Sequence, residues 1–334
     1  MVCSRQVAHT TPETRAEGLV RALVAAGKTT QSRSIFGAWF SSTRTPDVDL
    51  STYWIQPSAV NPRIPSNLYL VASAGDSSWG AQHTGITAAS SQSTNDADLP
   101  VWARQRSTDW WPAAQQLKRA LASLPGDWCV FADTDHLCAS PLTKLALGAM
   151  DRTVVPVSLD GGDFSRLFHD VTGNALFTDV MMPMASQGML GAPVCTFVFT
   201  KMTSNQNAPN ETKEGIRSPF TPAQAVQRQM GDLAASLREA AQHHPLLQAS
   251  IRGYTEAAAA VAKTFGRNYF TAFKTVSDVS LDASKKYGAP LCTMDCTDRT
   301  LGDIKAAQTV VKALQVELTF LLDVVLREPI NNEA

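Results

Sequence analysis

Apolar positions along the chain fall into two kinds of run, one with helical spacing and one continuous. Between residues 14 and 26, Leu19, Val20, Leu23 and Val24 share a helical face, Thr11-Pro12-Glu13 resembles a capped start, and Gly27 stands where a helix stops. Trp111, Leu117, Ala120, Leu121 and Leu124 predict a helix over 110–124, ended by Pro125-Gly126. Helices are also predicted over 142–150, 164–182, 221–241, 246–265 and 301–326. The last carries the stripe Leu314, Leu318, Leu321, Leu322 and Val325. Continuous apolar runs predict buried strands at 67–72, 128–132, 153–159, 194–199 and 290–294.

Strands that are apolar throughout and alternate with helices predict an α/β fold. Its sheet is mostly parallel, with helices on both faces in three layers. Residues 73–98, rich in Ser, Gly, Thr and Ala, and the polar, turn-rich 204–219 read as loop insertions decorating a single domain over 1–330. No internal repeat is present.

Composition adds boundaries. The 334 residues are 44% hydrophobic, enough for a sizeable core, and 18% charged, below the usual share. A net charge of -1 gives no global pull toward nucleic acid or anionic membrane. No apolar run approaches the roughly 20 residues of a bilayer span, and MVCSRQVAHTTPETR lacks the apolar core of a secretory signal. Of the six cysteines, Cys129, Cys195 and Cys292 sit in or beside apolar runs as small hydrophobes. Cys292 and Cys296 have no partner pair at zinc-site spacing. The chain reads as reduced, intracellular and cytoplasmic, with an organelle address as the alternative.

Candidate chemistry concentrates at 128–163. The run ending FADTD places Asp133 and Asp135 around Thr134 at the carboxyl end of a strand. Open α/β sheets hold ligands there, and two such carboxylates can bind Mg²⁺ directly or through water. The plainer reading is a loop of solvated acids, with Asp135 capping a turn.

The stretch FADTDHLCASPLTKLALGAMDRTVVPVSLDGGDFSRL resembles the middle of the ParA/MinD-type P-loop ATPases, the deviant Walker A family. There an apolar strand ends in Asp, a Pro/Ser loop follows, then a helix like TKLAL and a strand like VVPV. CTFVFTKM resembles the next strand, which ends in an Asn near the base; Thr200-Lys201 stands in that place. YGAPLCTMDCTD resembles the late G-x-P strand whose loop contacts adenine, which puts Pro290 beside the cofactor. NLYLVASAG resembles the strand before the long variable loop. The order of elements covers residues 7–325. The resemblance implies a P-loop NTPase-like fold, ATP with Mg²⁺ as cofactors, and a homodimer closing face to face around ATP. It also implies a partition-type partner protein and a role in positioning cargo such as plasmids or chromosomes. Asp133 is then the candidate catalytic residue and holds the metal with Asp135 and Thr10.

The family's phosphate loop needs glycines, a Lys and a hydroxyl residue. Gly27-Lys28-Thr29 supplies GKT, but Ala22 stands where GxxxxGKT needs Gly, and a helix precedes it instead of a strand. A second register lays Val7-Ala8-His9-Thr10-Thr11 over the family's VGKTT, so that Thr14–Ala26 becomes the helix after the loop. His9 then replaces the phosphate-binding Lys, the hydroxyls of Thr10 and Thr11 survive, and the first strand shrinks to a few residues or is missing. Residues 29–36 also lack the acidic strand end that the family carries there. A neutral, short His cannot span to a β/γ-phosphate as Lys does, so hydrolysis is expected to be weak or lost. Either register leaves an incomplete site, as an incomplete or mis-spliced product would.

Lys263, Arg267, Lys274, Lys285 and Lys286 accompany Phe265, Tyr269, Phe270 and Phe273. They read either as a nonspecific grip on DNA phosphates, as in family members that move DNA, or as a solvated helix face over core aromatics. The neutral overall charge favours the second reading. His243-His244-Pro245 reads as a helix break and His169 as a surface position. Two other functions compete with the ATPase switch. One is a non-catalytic interaction protein on the same fold. The other is a nucleotide-sugar transferase, in which Asp133-Thr134-Asp135 would be a DxD motif gripping a diphosphate through Mn²⁺ or Mg²⁺.

Overall fold

The computed structural model describes residues 2–3, 56–59, 62, 64–69, 71–72, 110–134, 141–159, 161–171, 173–202, 204–206, 208–274 and 305–327. The chain divides into two compact units, one of Met1–Met150 with Val171–Asn174 and the other of Asp151–Asp170 with Ala175–Ala334. The helix expected at 14–26, the loop at 73–98 and the strand at 290–294 lie outside the described residues.

In the first unit, β1 (Val2–Cys3) pairs in parallel with β2 (Val71–Ala72). Helix α1 (Trp110–Ala122) buries Ala114 and Leu117, three apart on one face. It packs on α2 (Pro141–Ala149), in which every residue from Thr143 to Ala149 is buried. The strand expected at 128–132 does not form. Only Ala132 makes a single β-bridge, and Trp128 and Phe131 are 39% and 50% exposed. The Trp128 indole N–H donates to the Pro125 carbonyl at 2.9 Å, and its ring meets Tyr69 edge-on at 5.3 Å. The bond to Pro125 folds the start of the run back onto the preceding turn, and Tyr69 meets the exposed ring. Cys129 is exposed, unlike a core hydrophobe.

The second unit holds a five-stranded sheet. Its first elements are β3 (Thr153–Val157), α3 (Gly161–Ser165), a π-helical segment Leu176–Met181 that runs into α4 (Met182–Ser186), and β4 (Val194–Met202). Short strands follow: β5 (Ser204–Gln206), β6 (Asn210–Glu211), β7 (Arg217–Ser218) and β8 (Thr221–Pro222). Then come α5 (Gln224–His243), α6 (Pro245–Ala249), α7 (Glu256–Ala260), α8 (Ala262–Tyr269), β9 (Phe270–Lys274) and α9 (Lys305–Leu326). The strand order is β3-β4-β9-β7-β6. The first four run parallel and β6 is antiparallel at the edge. A mostly parallel sheet with helices around it therefore bears out the α/β expectation.

Strand β4 is buried on both faces. Val194, Thr196 and Val198 alternate with Cys195, Phe197 and Phe199, and all six are at most 8% exposed. Phe197 and Phe199 stack on Phe270 with ring centroids 5.1 and 5.6 Å apart, and Phe177 adds to the cluster at 6.1 Å. Helices α8 and α9 lie against β4 and β9.

Four expectations change. The helix over 164–182 breaks after Ser165, because the Arg166 and Leu167 carbonyls accept from the Leu176 and Phe177 amides. The helix over 246–265 splits into three. The Ser250 carbonyl accepts from Val194 N–H, and Arg252 N–H donates to the Val194 carbonyl, which ties residues 250–252 to the start of β4. The aromatic stretch read as a helix face becomes strand β9 from Phe270 onward. Residues 204–219, expected as an exposed loop, carry β5, β6 and β7 and bury Thr212, Ile216 and Ser218.

The last change depends on glycine. A Cβ on Gly266 of α8 would lie 1.8 Å from the Glu214 carbonyl oxygen, and one on Gly231 of α5 would lie 2.7 Å from the Glu214 side chain. Gly215, at φ +84°, passes equally close to the Lys263 carbonyl. The turn at 212–216 thus reaches the sheet by touching helix backbone directly. Gly266→Ala should destabilise the fold by about 3 kcal/mol, the upper end of the usual 1–3 kcal/mol for overpacking, because the clash is with backbone. Gly188→Ala, at φ +67° with open space around it, should cost only about 1 kcal/mol. Denaturant titration of both variants checks this, and equal losses would contradict the close approach.

Candidate functional site

Parallel strands end together, and the carboxyl ends of β3, β4 and β9 form the edge where α/β folds hold ligands. Beyond β3, the buried Ser158 hydroxyl donates to Asp163 Oδ2 at 2.5 Å. Arg166 Nη1 lies 3.9 Å from Asp163 Oδ1, and Gln229 of α5 donates to the Leu159 carbonyl at 2.6 Å. The loop after β3 is thereby pinned from two sides.

At the end of β4, Thr200 is half-buried and its hydroxyl points to the Val157 carbonyl at 3.5 Å. Lys201 is exposed and has φ +59°, the one positive φ of a non-glycine among the described residues. For an L-residue this left-handed conformation costs about 1–2 kcal/mol. The register between β4 and β9 shifts between Phe199 and Met202, so Thr200-Lys201 forms a bulge. Bulges re-aim side chains and are frequent beside sites.

At the end of β9, the Lys274 amide donates to Glu317 Oε2 of α9 at 3.1 Å. Glu317 is 6% exposed, and burial pushes its carboxyl above the ordinary range. The Lys274 amide and charge offset part of that rise.

Of the sequence candidates, Thr200 and Lys201 stand together at this edge. Asp133 is exposed after the Ala132 bridge in the first unit. His9, Thr10, Thr11, Gly27, Lys28, Thr29, Asp135 and Pro290 lie outside the described residues. Among the described residues, no group of three or more His, Cys, Asp or Glu side chains could hold a metal ion, and no helix is long and apolar enough to cross a membrane. Lys263 and Arg267 are not a free basic face, since both pair with Glu211, at 3.2 and 2.9 Å. His169 is exposed, and α5 ends at His243, as read from the sequence.

Sequence reasoning passed over Glu317 and Lys144. Glu317 shares the helical face of Leu314 and Leu321, and an acid on an apolar stripe is a readable signal. Lys144 is 8% exposed in α2, and burial pulls its ammonium below the ordinary 10.5. It lies within TKLAL, in a helix apolar almost all round.

No protein-family model matches the chain, and neither a curated protein nor a solved structure matches it.

A raised pKa for Glu317 means that the fold binds its proton more tightly than the unfolded chain. That contribution is full below the ordinary 4.5 and is lost as pH rises through the shifted value. Glu317→Gln keeps an acceptor for the Lys274 amide and removes the buried charge. The variant should match wild type in acid and exceed it in stability near neutrality, as measured by denaturation across pH. A deficit of the same size at both pH values would refute the assignment.

Proposed function

We propose that the chain is a ParA/MinD-like nucleotide-dependent positioning switch whose ATP hydrolysis is weak or lost. The observation that carries this reading is an order: helix α2, strand β3 and strand β4 follow the FADTD run in sequence, and β3 and β4 are parallel neighbours. The bulge at Thr200-Lys201 supports it, because a base-contacting position belongs at that strand end. The face-to-face dimer and a partition-type partner protein follow from the same reading. A DNA grip through Lys263 and Arg267 is weakened by their pairing with Glu211.

An exposed carboxylate at Asp133 is compatible with Mg²⁺ bound through nucleotide. Such a metal is held by one or two carboxylates plus phosphate oxygens and not by an all-protein cage. Asp133 offers one exposed carboxylate for such a metal. On the resemblance, Asp133 is the carboxylate expected to hold the ion, with Thr10 as its hydroxyl partner, and Thr200-Lys201 and Pro290 are the positions expected to contact the base. Bound Mg-ATP supplies the transferable phosphoryl group and the metal charge. His9, in place of a Lys, leaves the developing phosphoryl charge under-compensated, so the nucleotide acts mainly as a bound effector.

Thermal shift and phosphate release test this together. Mg-ATP should stabilise wild type, by about 2.7 kcal/mol at a hundredfold excess over Kd, with turnover near background. Asp133→Ala should lose the Mg²⁺-dependent part, and His9→Lys should raise turnover. Absence of any nucleotide shift would favour the non-catalytic interaction protein. A shift seen only with Mn²⁺ and a sugar nucleotide would favour the transferase.

A further inference from the structure

Arg217 lies on β7, one strand in from the edge of the five-stranded sheet. Its backbone is fixed by pairing with Thr271, whose hydroxyl donates to the Arg217 carbonyl at 3.0 Å. Directly opposite on β6 stands Glu211. Directly opposed residues of an antiparallel pair share a face, with Cβ atoms about 5 Å apart. Lys263 and Arg267 of α8 reach that face, because both pair with the Glu211 carboxylate. Burial alone would raise the Glu211 pKa, but hydrogen bonds from Arg267 and Lys263 outweigh it and hold the carboxyl below the ordinary value. Glu211 is therefore ionised near neutrality and already satisfied. Two cations pair with that one anion, and Arg217 stands opposite it on the same face.

The orphaned atoms identify the missing partner. Nε and Nη2 of Arg217 are both buried without a hydrogen-bond partner, and so is Nε of Arg267. Nε and Nη2 form one edge of a guanidinium. Their two N–H bonds lie nearly parallel, which is the fork that grips two oxygens of one oxyanion. An unpaired buried charge is costly, and leaving a whole fork unpaired compounds that cost. Glu214, the next acid along the chain, has its side chain against Gly231 of α5. The cluster still opens to solvent, since the Lys263 side chain is 58% exposed.

The geometry points to a phosphate-binding site in which the Arg217 fork takes two oxygens, with Arg267 Nε and Lys263 completing the charge. The excess of two positive charges favours a dianionic phosphate group over a carboxylate. The site lies toward the antiparallel edge of the sheet, on the second strand over from the one that carries Thr200-Lys201, and does not rest on the nucleotide reading.

Inorganic phosphate is the probe, added to the full chain against chloride at matched ionic strength. Wild type should show a saturable rise in Tm and broadening of the phosphate phosphorus resonance. Arg217→Met removes the orphaned charge, so its Tm should exceed that of wild type without phosphate and should not respond to phosphate. Arg217→Lys keeps charge without the fork and should weaken apparent affinity roughly tenfold. If Arg217→Met does not fold, the Lys variant and the wild-type resonance carry the test. Asp133→Ala should keep the response. Its loss there but not in the Arg217 variants would move phosphate to the nucleotide pocket and overturn the proposal. So would an unresponsive wild type, or a response to a DNA duplex without one to phosphate.

Discussion

The second unit depends on β4 being buried on both faces and paired on both edges. A strand in that position has no solvent to satisfy its backbone and no face on which to place charge. Its sequence obeys both limits from Val194 to Phe199, and the one polar side chain in that run, Thr196, reaches the Tyr269 carbonyl at 3.3 Å. Neighbouring elements then answer to it. Residues 250–252 interrupt a helical pattern in order to pair with Val194. Phe270 begins a strand because its ring has Phe197 and Phe199 to stack on. Helices α8 and α9 close over the strands.

The sheet grows outward under a different rule. Beyond β9 the strands are two residues long, and the last one is reversed. Short, charged edge strands discourage pairing with another chain. Placing them required the turn at 212–216 to pass close to α8 and α5, which Gly215, Gly266 and Gly231 allow. Lys201 marks a local interruption near the carboxyl end of β4. There a left-handed bulge exposes one residue before Met202 returns to the core opposite Lys274.

Much of this was legible where periodicity reports burial directly. Helices α1, α2, α5 and α9 and strands β3 and β4 sit where the apolar pattern places them, within a few residues. The failures share a cause. Apolar runs announce that a segment has something to bury, not what will cover it. WCVF at 128–131 was read as a strand, but Trp128 found Tyr69 and a local carbonyl instead. The 164–182 and 246–265 patterns were helical in composition, yet long-range backbone pairing at 166–177 and 250–252 overrode propensity. Residues 204–219 looked polar because short edge strands bury only a few side chains. At the candidate site, Thr200-Lys201 is an expectation from the resemblance, placed at the end of an apolar run. The strain at Lys201 and the orphaned fork of Arg217 exist only in three dimensions. No spacing in the sequence reveals them.

Charge in this chain works locally. A balance near neutral produces no overall field, so each buried cation must be answered by its own neighbours. Arg152 is answered by a carbonyl, that of Val325 at 2.6 Å, and Arg267 by Glu211 through Nη2. Arg217 differs because the acid opposite it is already engaged by α8, and its Nε and Nη2 are buried without a hydrogen-bond partner. A residue kept only to fill the sheet would lose less as Met or Leu, since an apolar side chain of similar volume has no desolvation penalty. An arginine in that position is therefore better explained by what it can receive than by what it already holds.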